Sequence, residues 1–419
     1  MKTKAIRLYG KNDLRLEEFD LPMMKDDEIL AKVVSDSLCM STYKAVIQGA
    51  DHKRVPNDIA ENPVIIGHEF SGEIIAVGKK WQEKYRVGMK FSVQPALNLP
   101  ERRDPGYSYP YIGGNATYII IPGFVIELNC LLEYTGEAFF LGSLSEPQSC
   151  VIGAFNACYH TSNGKYTHQM GIREGGNMAI LAGAGPMGLA AIDYIIHCRR
   201  KPGLLVVTDI DDLRLKRAAS LYTVEEAARN GIEMFYINTK ETLDAEDYMM
   251  SLSKGKGYDD VLVFAPVKTL VEQADRLLGI DGCLNFFSGP SDTNFKAEVN
   301  FYNVHYAFTH IAANCGGNTD DMIEALEMMS DGRLNPAAMV THVGGLDAVT
   351  GTVMNLPQIP GGKKLIYNHI KMPLVALDEL DEKGKSDPLL AELSEFVKAN
   401  NGIWSVEAEK YILENAPKI

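Results

Sequence analysis

A glycine motif, Gly183-Ala-Gly185-Pro-Met-Gly188, follows the apolar run Met178 to Ala182 and precedes a helical pattern over Leu189 to Cys198. A strand, a tight glycine turn and a helix in this order suit a dinucleotide, because the glycines let its pyrophosphate approach and the helix N-terminus supplies amide donors. No Gly-Lys-Ser/Thr follows, which excludes a Walker phosphate loop. The motif predicts a dinucleotide site formed by Gly183, Gly185, Pro186, Met187 and Gly188.

The next apolar segment, Leu204 to Thr208, ends in Asp209. An acid at the end of this strand hydrogen-bonds the ribose 2′-hydroxyl and repels a 2′-phosphate, so the sequence predicts NAD(H). Arg214, which we include among the cofactor-binding candidates, Lys216 and Arg217 follow closely. They lie either on a solvated helix face or within reach of a 2′-phosphate, so NADP(H) stays open. A glycine turn in an α/β protein that binds no nucleotide is the alternative for the whole motif.

The pattern of apolar and turn-forming residues changes near Cys158. Earlier residues form short β-branched and aromatic runs between Gly, Pro and Asn, which predict a β-rich domain. Later apolar strands alternate with helical patterns, which predict a doubly wound parallel sheet. A chain of 419 residues exceeds what one core usually serves. We therefore expect two domains, residues 158–315 and residues 1–157 with 316–419, the tail from about Leu377 being helical.

Charge and cysteine content exclude several classes of function. Lys plus Arg total 41 against 55 Asp plus Glu, a net charge of −14, which disfavours nucleic acid and anionic membrane surfaces. Charged residues interrupt the first 20 positions, and glycines interrupt the apolar run Gly175 to Ile192, so we expect a cytoplasmic protein without a membrane span. The seven cysteines are scattered and form no Cys-x-x-Cys pair. We expect most of them to be reduced, buried and inert.

Three segments of the predicted β-rich domain carry residue types that bind zinc. Cys39 lies in Ser-Leu-Cys-Met-Ser-Thr, His68 and Glu69 lie in Gly-His-Glu-Phe-Ser-Gly, and Glu146 precedes a proline. A catalytic zinc takes three such protein groups and keeps one position open. Taken singly, each residue has an ordinary structural reading: a core cysteine, a hydrogen-bonded loop histidine or a surface glutamate.

In their order along the chain, these segments and the glycine motif with Asp209 resemble the zinc-dependent medium-chain dehydrogenase/reductase family, which includes alcohol and sorbitol dehydrogenases. The resemblance covers nearly the whole chain. It implies an α/β protein in which a β-rich GroES-like catalytic domain holds an inserted Rossmann domain, and an NAD(P)-linked oxidoreductase. It also implies that Cys39 and His68 bind a catalytic zinc, that Glu146 is the third ligand, and that Glu69 stands close enough to bind or exchange.

The chain departs from the family pattern at three places. Residues 95–115 contain none of the four cysteines that hold a second, structural zinc in many relatives, so we expect one zinc per chain. Thr42 replaces an Asp that orients the ligand histidine. Ser41 matches the hydroxyl of the family's proton relay, but Lys44 stands where a relay histidine is common.

The resemblance is greatest to members that interconvert ketose phosphates and hexitol phosphates, and it implies a homo-oligomer, a dimer or a tetramer. A sugar phosphate needs cations, and two clusters stand out in an otherwise acidic chain: Lys53 with Arg54, and Arg102 with Arg103. Both clusters are equally compatible with solvated loops. The alternatives are a dehydrogenase of an unphosphorylated polyol or secondary alcohol, a zinc-free quinone or enoyl reductase, and a catalytically silent NAD-binding protein.

Overall fold

The computed structural model describes residues 1–162, 164–290 and 292–419. Its strands, in chain order, are β1 (Lys2–Gly10), β2 (Asp13–Asp20), β3 (Ile29–Leu38), β4 (Val64–Ile65), β5 (Phe70–Val77), β6 (Lys90–Val93), β7 (Tyr118–Ile121), β8 (Leu131–Glu133), β9 (Tyr159–His160), β10 (Gln169–Met170), β11 (Asn177–Leu181), β12 (Leu204–Asp209), β13 (Glu233–Asn238), β14 (Tyr258–Val263), β15 (Leu278–Phe286), β16 (His310–Ala312), β17 (Val340–Gly345), β18 (Lys363–Tyr367) and β19 (Val375–Ala376).

The α-helices alternate with these strands mainly in the middle of the chain. They are α1 (Met40–Gln48), α2 (Gly123–Glu127), α3 (Phe139–Ala157), α4 (Pro186–His197), α5 (Asp212–Leu221), α6 (Val224–Arg229), α7 (Ala245–Leu252), α8 (Lys268–Leu277), α9 (Phe301–Tyr306), α10 (Thr319–Ser330), α11 (Val349–Met354), α12 (Leu380–Gly384), α13 (Pro388–Ala399) and α14 (Val406–Asn415). Over the described residues, the structure contains no helix that is both long and apolar enough to cross a membrane.

The chain divides into two compact units. One unit comprises Met1–Pro147 with Asn318–Ile419, and the other comprises Gln148–Gly317. We call them the catalytic unit and the nucleotide unit, after the functions that the sequence predicts for them. The division of domains that we predict from sequence, 1–157 with 316–419 and 158–315, stays a prediction.

The catalytic unit is built on a largely antiparallel sheet with the strand order β19-β17-β18-β3-β5-β6-β8, and β7 also pairs with β3. A smaller sheet has the order β2-β1-β4. Side chains of β3, β5, β6 and β7 form a buried apolar cluster that includes Val33, Phe70 and Phe91. The central strand β3 is buried over most of its length because sheet and loops cover both of its faces.

The nucleotide unit contains a sheet with the order β13-β12-β11-β14-β15-β16, in which each neighbouring pair is parallel. Counted from β11, this is the strand order of a Rossmann fold, with the switch point beside β11. The predicted doubly wound parallel sheet is therefore confirmed. Its apolar strands, such as Leu204–Asp209, are buried on both faces because helices pack against them.

Candidate active site

The ends of three strands bring distant segments of the catalytic unit together. Antiparallel pairing of β3 with β5 sets Asp36 opposite Phe70, so Cys39, just after β3, lies close to His68, just before β5. The same end of β3 pairs with β18, where Leu38 lies opposite Lys364. The turn before His68 depends on Gly67, whose φ is +93° and whose Cβ would lie within 3.0 Å of Asn115.

Donor atoms of Cys39, His68 and Glu69 lie within 4.8 Å of one another. His68 Nε2 is 3.9 Å from Glu69 Oε1, and the side chains of His68 and Glu69 are buried. Glu146, on α3, does not belong to this set of described residues, but its charge acts on the same imidazole. The structure thus gathers a thiol, an imidazole and a carboxylate in one buried place.

Glu69 is held on both carboxylate oxygens. Lys363 Nζ donates to Oε1 at 2.5 Å, and the Ser37 hydroxyl donates to Oε2. Burial by itself would raise the pKa of Glu69, but the ammonium group of Lys363 holds it below its ordinary value. Glu69 is therefore an anion that is already paired with a lysine from β18.

A hydroxyl chain runs beside the cluster. The Tyr107 hydroxyl donates to Ser41 Oγ at 2.9 Å, and Ser41 Oγ donates to Cys39 Sγ at 3.0 Å. Both hydroxyls lie 3.3 Å from His68 Nε2, and Thr42 Oγ1 lies 3.3 Å from Nδ1 on the other side of the ring. Thr42 thus contacts the histidine without adding a charge.

The other groups of the cluster respond to burial and to one another. Burial lowers the pKa of His68, which Glu146 and Glu69 oppose. Burial also raises the pKa of the Cys39 thiol, and Glu69 adds to the rise. The pKa of Glu146 is raised to about 7 by burial, with His68 lowering it and Glu69 and Cys39 raising it. Three acidic groups therefore compete for ionisation in a small buried volume.

These residues fit a zinc ion. Sulfur, imidazole nitrogen and carboxylate oxygen are its usual protein donors. Thr42 occupies the Nδ1 side of His68, which leaves Nε2 facing Cys39 and Glu69. A divalent cation would also offset the repulsion among the acidic groups, which the single ammonium of Lys363 offsets only in part.

The predicted phosphate-binding residues lie in different surroundings. The Arg54 guanidinium is 5.1 Å from the centre of the Tyr107 ring and pairs with the buried Asp104 at 2.7 Å. Lys53 and Arg102 are exposed, and Arg103 is partly exposed. Of these four cations, Arg54 is the one that the structure ties to the hydroxyl chain.

Lys44 reaches the site only indirectly. His52 stacks on the Tyr107 ring with centroids 5.9 Å apart. Its pKa is lowered to about 4 by burial and by the charges of Arg54, Lys53 and Lys44. Lys44 is thus near His52, and a neutral imidazole extends the row of side chains beyond Tyr107.

The glycine motif of the nucleotide unit has the geometry that its sequence predicts. Gly188 packs so closely that an added Cβ would lie 2.0 Å from the Gly183 carbonyl oxygen, whereas nothing lies within 4 Å of a Cβ built on Gly185. Gly185 precedes α4, which begins at Pro186, and Met187 follows in its first turn; both are partly exposed. Open space at Gly185 beside a helix N-terminus suits a pyrophosphate.

Asp209 ends β12 and lines a cavity with Thr208, Ile210 and Thr239. Its Oδ2 accepts the Ala184 amide at 3.2 Å, and Oδ1 accepts the amides of the next two residues. The carboxylate is therefore fixed beside the glycine turn. Arg214 lies on α5, exposed, with Nε 3.7 Å from Asp211.

Comparison with known proteins shows the family of the chain. The alcohol dehydrogenase GroES-like domain model matches residues 25–129. The chain is 51% identical over 418 residues to the L-sorbose 1-phosphate reductase of Klebsiella pneumoniae, covering 100% of this chain and 98% of that protein. It is 51% identical over 413 residues to the mannitol-1-phosphate 5-dehydrogenase of Aliivibrio fischeri, covering 99% and 98%.

The chain belongs to the zinc-dependent medium-chain dehydrogenase/reductase family. Its fold matches the crystal structure of 2R,3R-butanediol dehydrogenase from Bacillus subtilis with a TM-score of 0.68 at 21% identity, over 87% of this chain and 99% of that one. The predicted combination of a GroES-like domain and a Rossmann sheet is confirmed, and so is the prediction of an oxidoreductase. Zinc and a nicotinamide dinucleotide are the cofactors of this family.

The sequence did not predict two residues of the candidate site, Tyr107 and Lys363. Tyr107 is 66 positions from Ser41, and Lys363 is 294 positions from Glu69. One sequence feature could have indicated Lys363: two consecutive lysines in a strand of a buried sheet must point to opposite faces. Tyr107 follows a Pro-Gly turn and had no such feature.

Proposed function

We propose that this chain is a zinc-dependent, NAD(H)-linked reductase of a ketose phosphate, with L-sorbose 1-phosphate reduced to glucitol 6-phosphate as the reaction to test first. The names of two relatives at 51% identity over the full length support the substrate class. The observation that carries the proposal is the hydroxyl chain from Tyr107 through Ser41 to Cys39, with Arg54 against the same tyrosine. It joins a zinc-type donor set, a proton path and a cation.

Cys39 and His68 would hold one catalytic zinc, and Glu69 or Glu146 would supply the carboxylate. When bound, the zinc acts as a Lewis acid on the substrate carbonyl. Thr42 fixes the ring of His68 by its contact at Nδ1. Lys363 retains Glu69 at hydrogen-bond distance, which supports Glu146 as the ligand in the resting enzyme and Glu69 as the carboxylate that exchanges.

Reduction of the ketose adds hydride from the nicotinamide to the carbonyl carbon and one proton to the carbonyl oxygen. Ser41 accepts a hydrogen bond from Tyr107, so a proton given up by Ser41 can be replaced from Tyr107. His52 stacks on that tyrosine, and Lys44 acts through its charge, which helps to lower the pKa of His52. When the hexitol phosphate is oxidised, the same groups would carry the proton in the opposite direction.

Arg54 is the proposed anchor of the substrate phosphate, because a guanidinium binds a phosphate with two parallel hydrogen bonds. Asp104 orients the guanidinium through Nε, at 2.7 Å. Lys53, Arg102 and Arg103 are the remaining candidates.

NAD(H) is the proposed dinucleotide because the fixed carboxylate of Asp209 suits a ribose 2′-hydroxyl and repels a 2′-phosphate. Arg214 would bind a 2′-phosphate only after leaving Asp211.

The decisive experiment measures kcat/KM for sorbose 1-phosphate, mannitol 1-phosphate and the two unphosphorylated sugars, with NAD(H) and with NADP(H), before and after zinc removal. We expect turnover of a phosphorylated sugar that chelation abolishes and zinc restores. Equal kcat/KM for sorbose and sorbose 1-phosphate would favour a general polyol dehydrogenase. Activity that survives chelation would favour a zinc-free reductase, and dinucleotide binding without turnover would favour a silent protein.

A homo-oligomer, a dimer or a tetramer, is part of the proposal. Exposed apolar side chains lie on and before β16, the terminal strand of its sheet: Phe301, Tyr302, Tyr306, Phe308 and Ile311. An unpaired strand edge with such side chains favours pairing with a second copy. Light scattering should give a multiple of 46.2 kDa that falls to one chain in Ile311→Lys. An unchanged mass in the variant would refute this edge as the interface.

A further inference from the structure

A second cluster of metal-binding groups lies inside the nucleotide unit. One donor atom each of Cys158, Asp260 and Cys283 lies within 4.8 Å of the other two. All three side chains are at most 1% exposed, and both cysteines are free thiols. None of these residues belongs to the zinc or dinucleotide sites described above.

Sheet register explains how this cluster forms. Asp260 on β14 pairs with Cys283 on β15, and Cys283 pairs with His310 on β16, so the three residues form one row across neighbouring parallel strands. Register partners in a parallel sheet point to the same face. Cys158 follows the end of α3 and meets this row from the segment that covers it.

The surroundings hold the cluster in place. Asp260 Oδ1 lies 3.2 Å from His160 Nε2, and its Oδ2 accepts the Arg173 amide at 2.8 Å. The His310 ring stacks on Tyr159 with centroids 4.0 Å apart. Carboxylates that bind metals are commonly held by outer hydrogen bonds of this kind.

We propose that Cys158, Cys283 and Asp260 bind a divalent metal ion of the zinc type through three protein ligands. Both ring nitrogens of the neighbouring His310 contact backbone carbonyl oxygens, Nδ1 that of Phe308 at 3.0 Å and Nε2 that of Tyr159 at 2.5 Å. Two sulfurs and one oxygen favour zinc over harder cations, and a fourth ligand would complete a tetrahedral site. In such a site neighbouring ligand atoms are about 3.4 to 3.8 Å apart, so donor atoms that lie within 4.8 Å of one another would have to approach by at most about 1 Å. A carboxylate packed with two thiols is expected for a metal site. A disulfide between the two cysteines would give the carboxylate no role.

This site would give two metal ions per chain, in place of the single zinc expected from the sequence. Elemental analysis of the zinc-loaded, desalted enzyme should therefore find two, falling to one in Cys158→Ser/Cys283→Ser and to one in Cys39→Ser. Cys198→Ser is the matched control, because Cys198 is a buried thiol of the same unit outside the cluster, and it should retain two.

The outcomes separate this inference from the proposed function. A single zinc that Cys39→Ser removes and Cys158→Ser/Cys283→Ser keeps would overturn the second site and leave the proposed catalytic site intact. A single zinc lost only with Cys158 and Cys283 would support this site and overturn the catalytic one. A Cys158–Cys283 disulfide, seen as a loss of two hydrogens by mass spectrometry in enzyme with one zinc, would also overturn the inference.

A second measurement covers the case in which the double variant does not fold. Cobalt-loaded Cys39→Ser retains Cys158 and Cys283, so it should show the near-ultraviolet sulfur-to-cobalt charge-transfer band. Absence of the band in folded, cobalt-treated Cys39→Ser would overturn the proposal.

Discussion

Lys363 Nζ lies 2.5 Å from Glu69 Oε1, and both side chains are buried. The lysine comes from β18 and the glutamate from the turn before β5, so the ion pair joins two strands that flank β3. Removing one member of a buried pair is costly because the other charge stays in a poorly solvating place. The pair therefore fixes the carboxylate next to His68 and also stabilises the catalytic unit.

Lys363→Met should lower the free energy of unfolding by about 3 to 5 kcal/mol. Urea unfolding of chelated protein is the suitable measurement, because a bound cation would itself neutralise Glu69. The double variant Lys363→Met/Glu69→Gln, which removes both charges, should recover most of the loss. Equal stability of the single variant and the wild type would show that the pair contributes nothing.

Tyr107→Phe tests the hydroxyl chain. Loss of the hydrogen bond from Tyr107 to Ser41 should reduce kcat by roughly 10- to 100-fold, since positioned proton transfer contributes at least that much. Zinc content should not change. Tyr109→Phe is the control, because Tyr109 is partly buried but its hydroxyl contacts only the Arg103 carbonyl oxygen among the described hydrogen bonds. A kcat close to that of the control would remove Tyr107 from the proton path.

Arg54→Gln tests the phosphate anchor. A charge-assisted hydrogen bond contributes about 1.5 to 3 kcal/mol, so kcat/KM for the sugar phosphate should fall by roughly 10- to 100-fold. Activity on the unphosphorylated sugar should barely change. Arg102→Gln and Arg103→Gln are the matched controls in the other cluster. A similar loss on both substrates would indicate that Arg54 acts through Asp104 and Tyr107 on the fold of the site instead.

Sequence patterns predicted the strands that can be recognised from their own residues. The apolar runs that became β11, β12 and β14 are continuous and bounded by glycine or acidic residues, so their periodicity identifies them. Two strands of the same sheet, β13 and β16, escaped prediction. Strand β13 mixes exposed and buried positions, and β16 spans only His310–Ala312. Their pairing with neighbours, not local propensity, makes them strands.

The residues of the candidate site also divide into those with a local sequence signal and those that only the fold brings together. Cys39, His68 and the glycine motif carry local signals, because each lies in a short segment with turn residues at fixed spacing. Lys363 reaches Glu69 through the pairing of strands far apart in sequence, and Tyr107 reaches Ser41 from a turn 66 positions away. The row of Asp260, Cys283 and His310 likewise depends on sheet register, which no single segment encodes.

Asp209→Ser should shift cofactor preference towards NADP(H), because the substitution removes the charge that repels a 2′-phosphate. The ratio of kcat/KM values for the two dinucleotides is the measurement. Asp211→Ser is the control: Asp211 is the N-cap of α5, and serine caps about as well while removing a nearby charge. A ratio that does not move in Asp209→Ser, or that moves equally in Asp211→Ser, would show that Asp209 does not contact the ribose.

Glu409 should make stability depend on pH. The carboxylate accepts the amides of Phe139 and Phe140 at 2.6 and 2.8 Å and the Tyr367 hydroxyl at 3.0 Å. Burial nevertheless raises its pKa to about 7, with those hydrogen bonds and the charge of Lys90 opposing the rise. The folded protein therefore retains a proton that the unfolded chain releases above its ordinary pKa of 4.5.

The sign follows from that difference. Where the folded state binds more protons, the free energy of unfolding falls as pH rises, by about 1.4 kcal/mol per pH unit for one group. The contribution of Glu409 is thus complete below about pH 4.5, declines between there and about pH 7, and is absent above.

Glu409→Gln, which imitates the protonated acid, should lack this decline. In urea unfolding at pH 5, 6, 7 and 8 the wild type should lose stability relative to the variant up to about pH 7, by an amount of the order of 3 kcal/mol, and then level off. Parallel curves would mean that Glu409 is ionised in the folded protein throughout, as the two amides at the start of α3 favour.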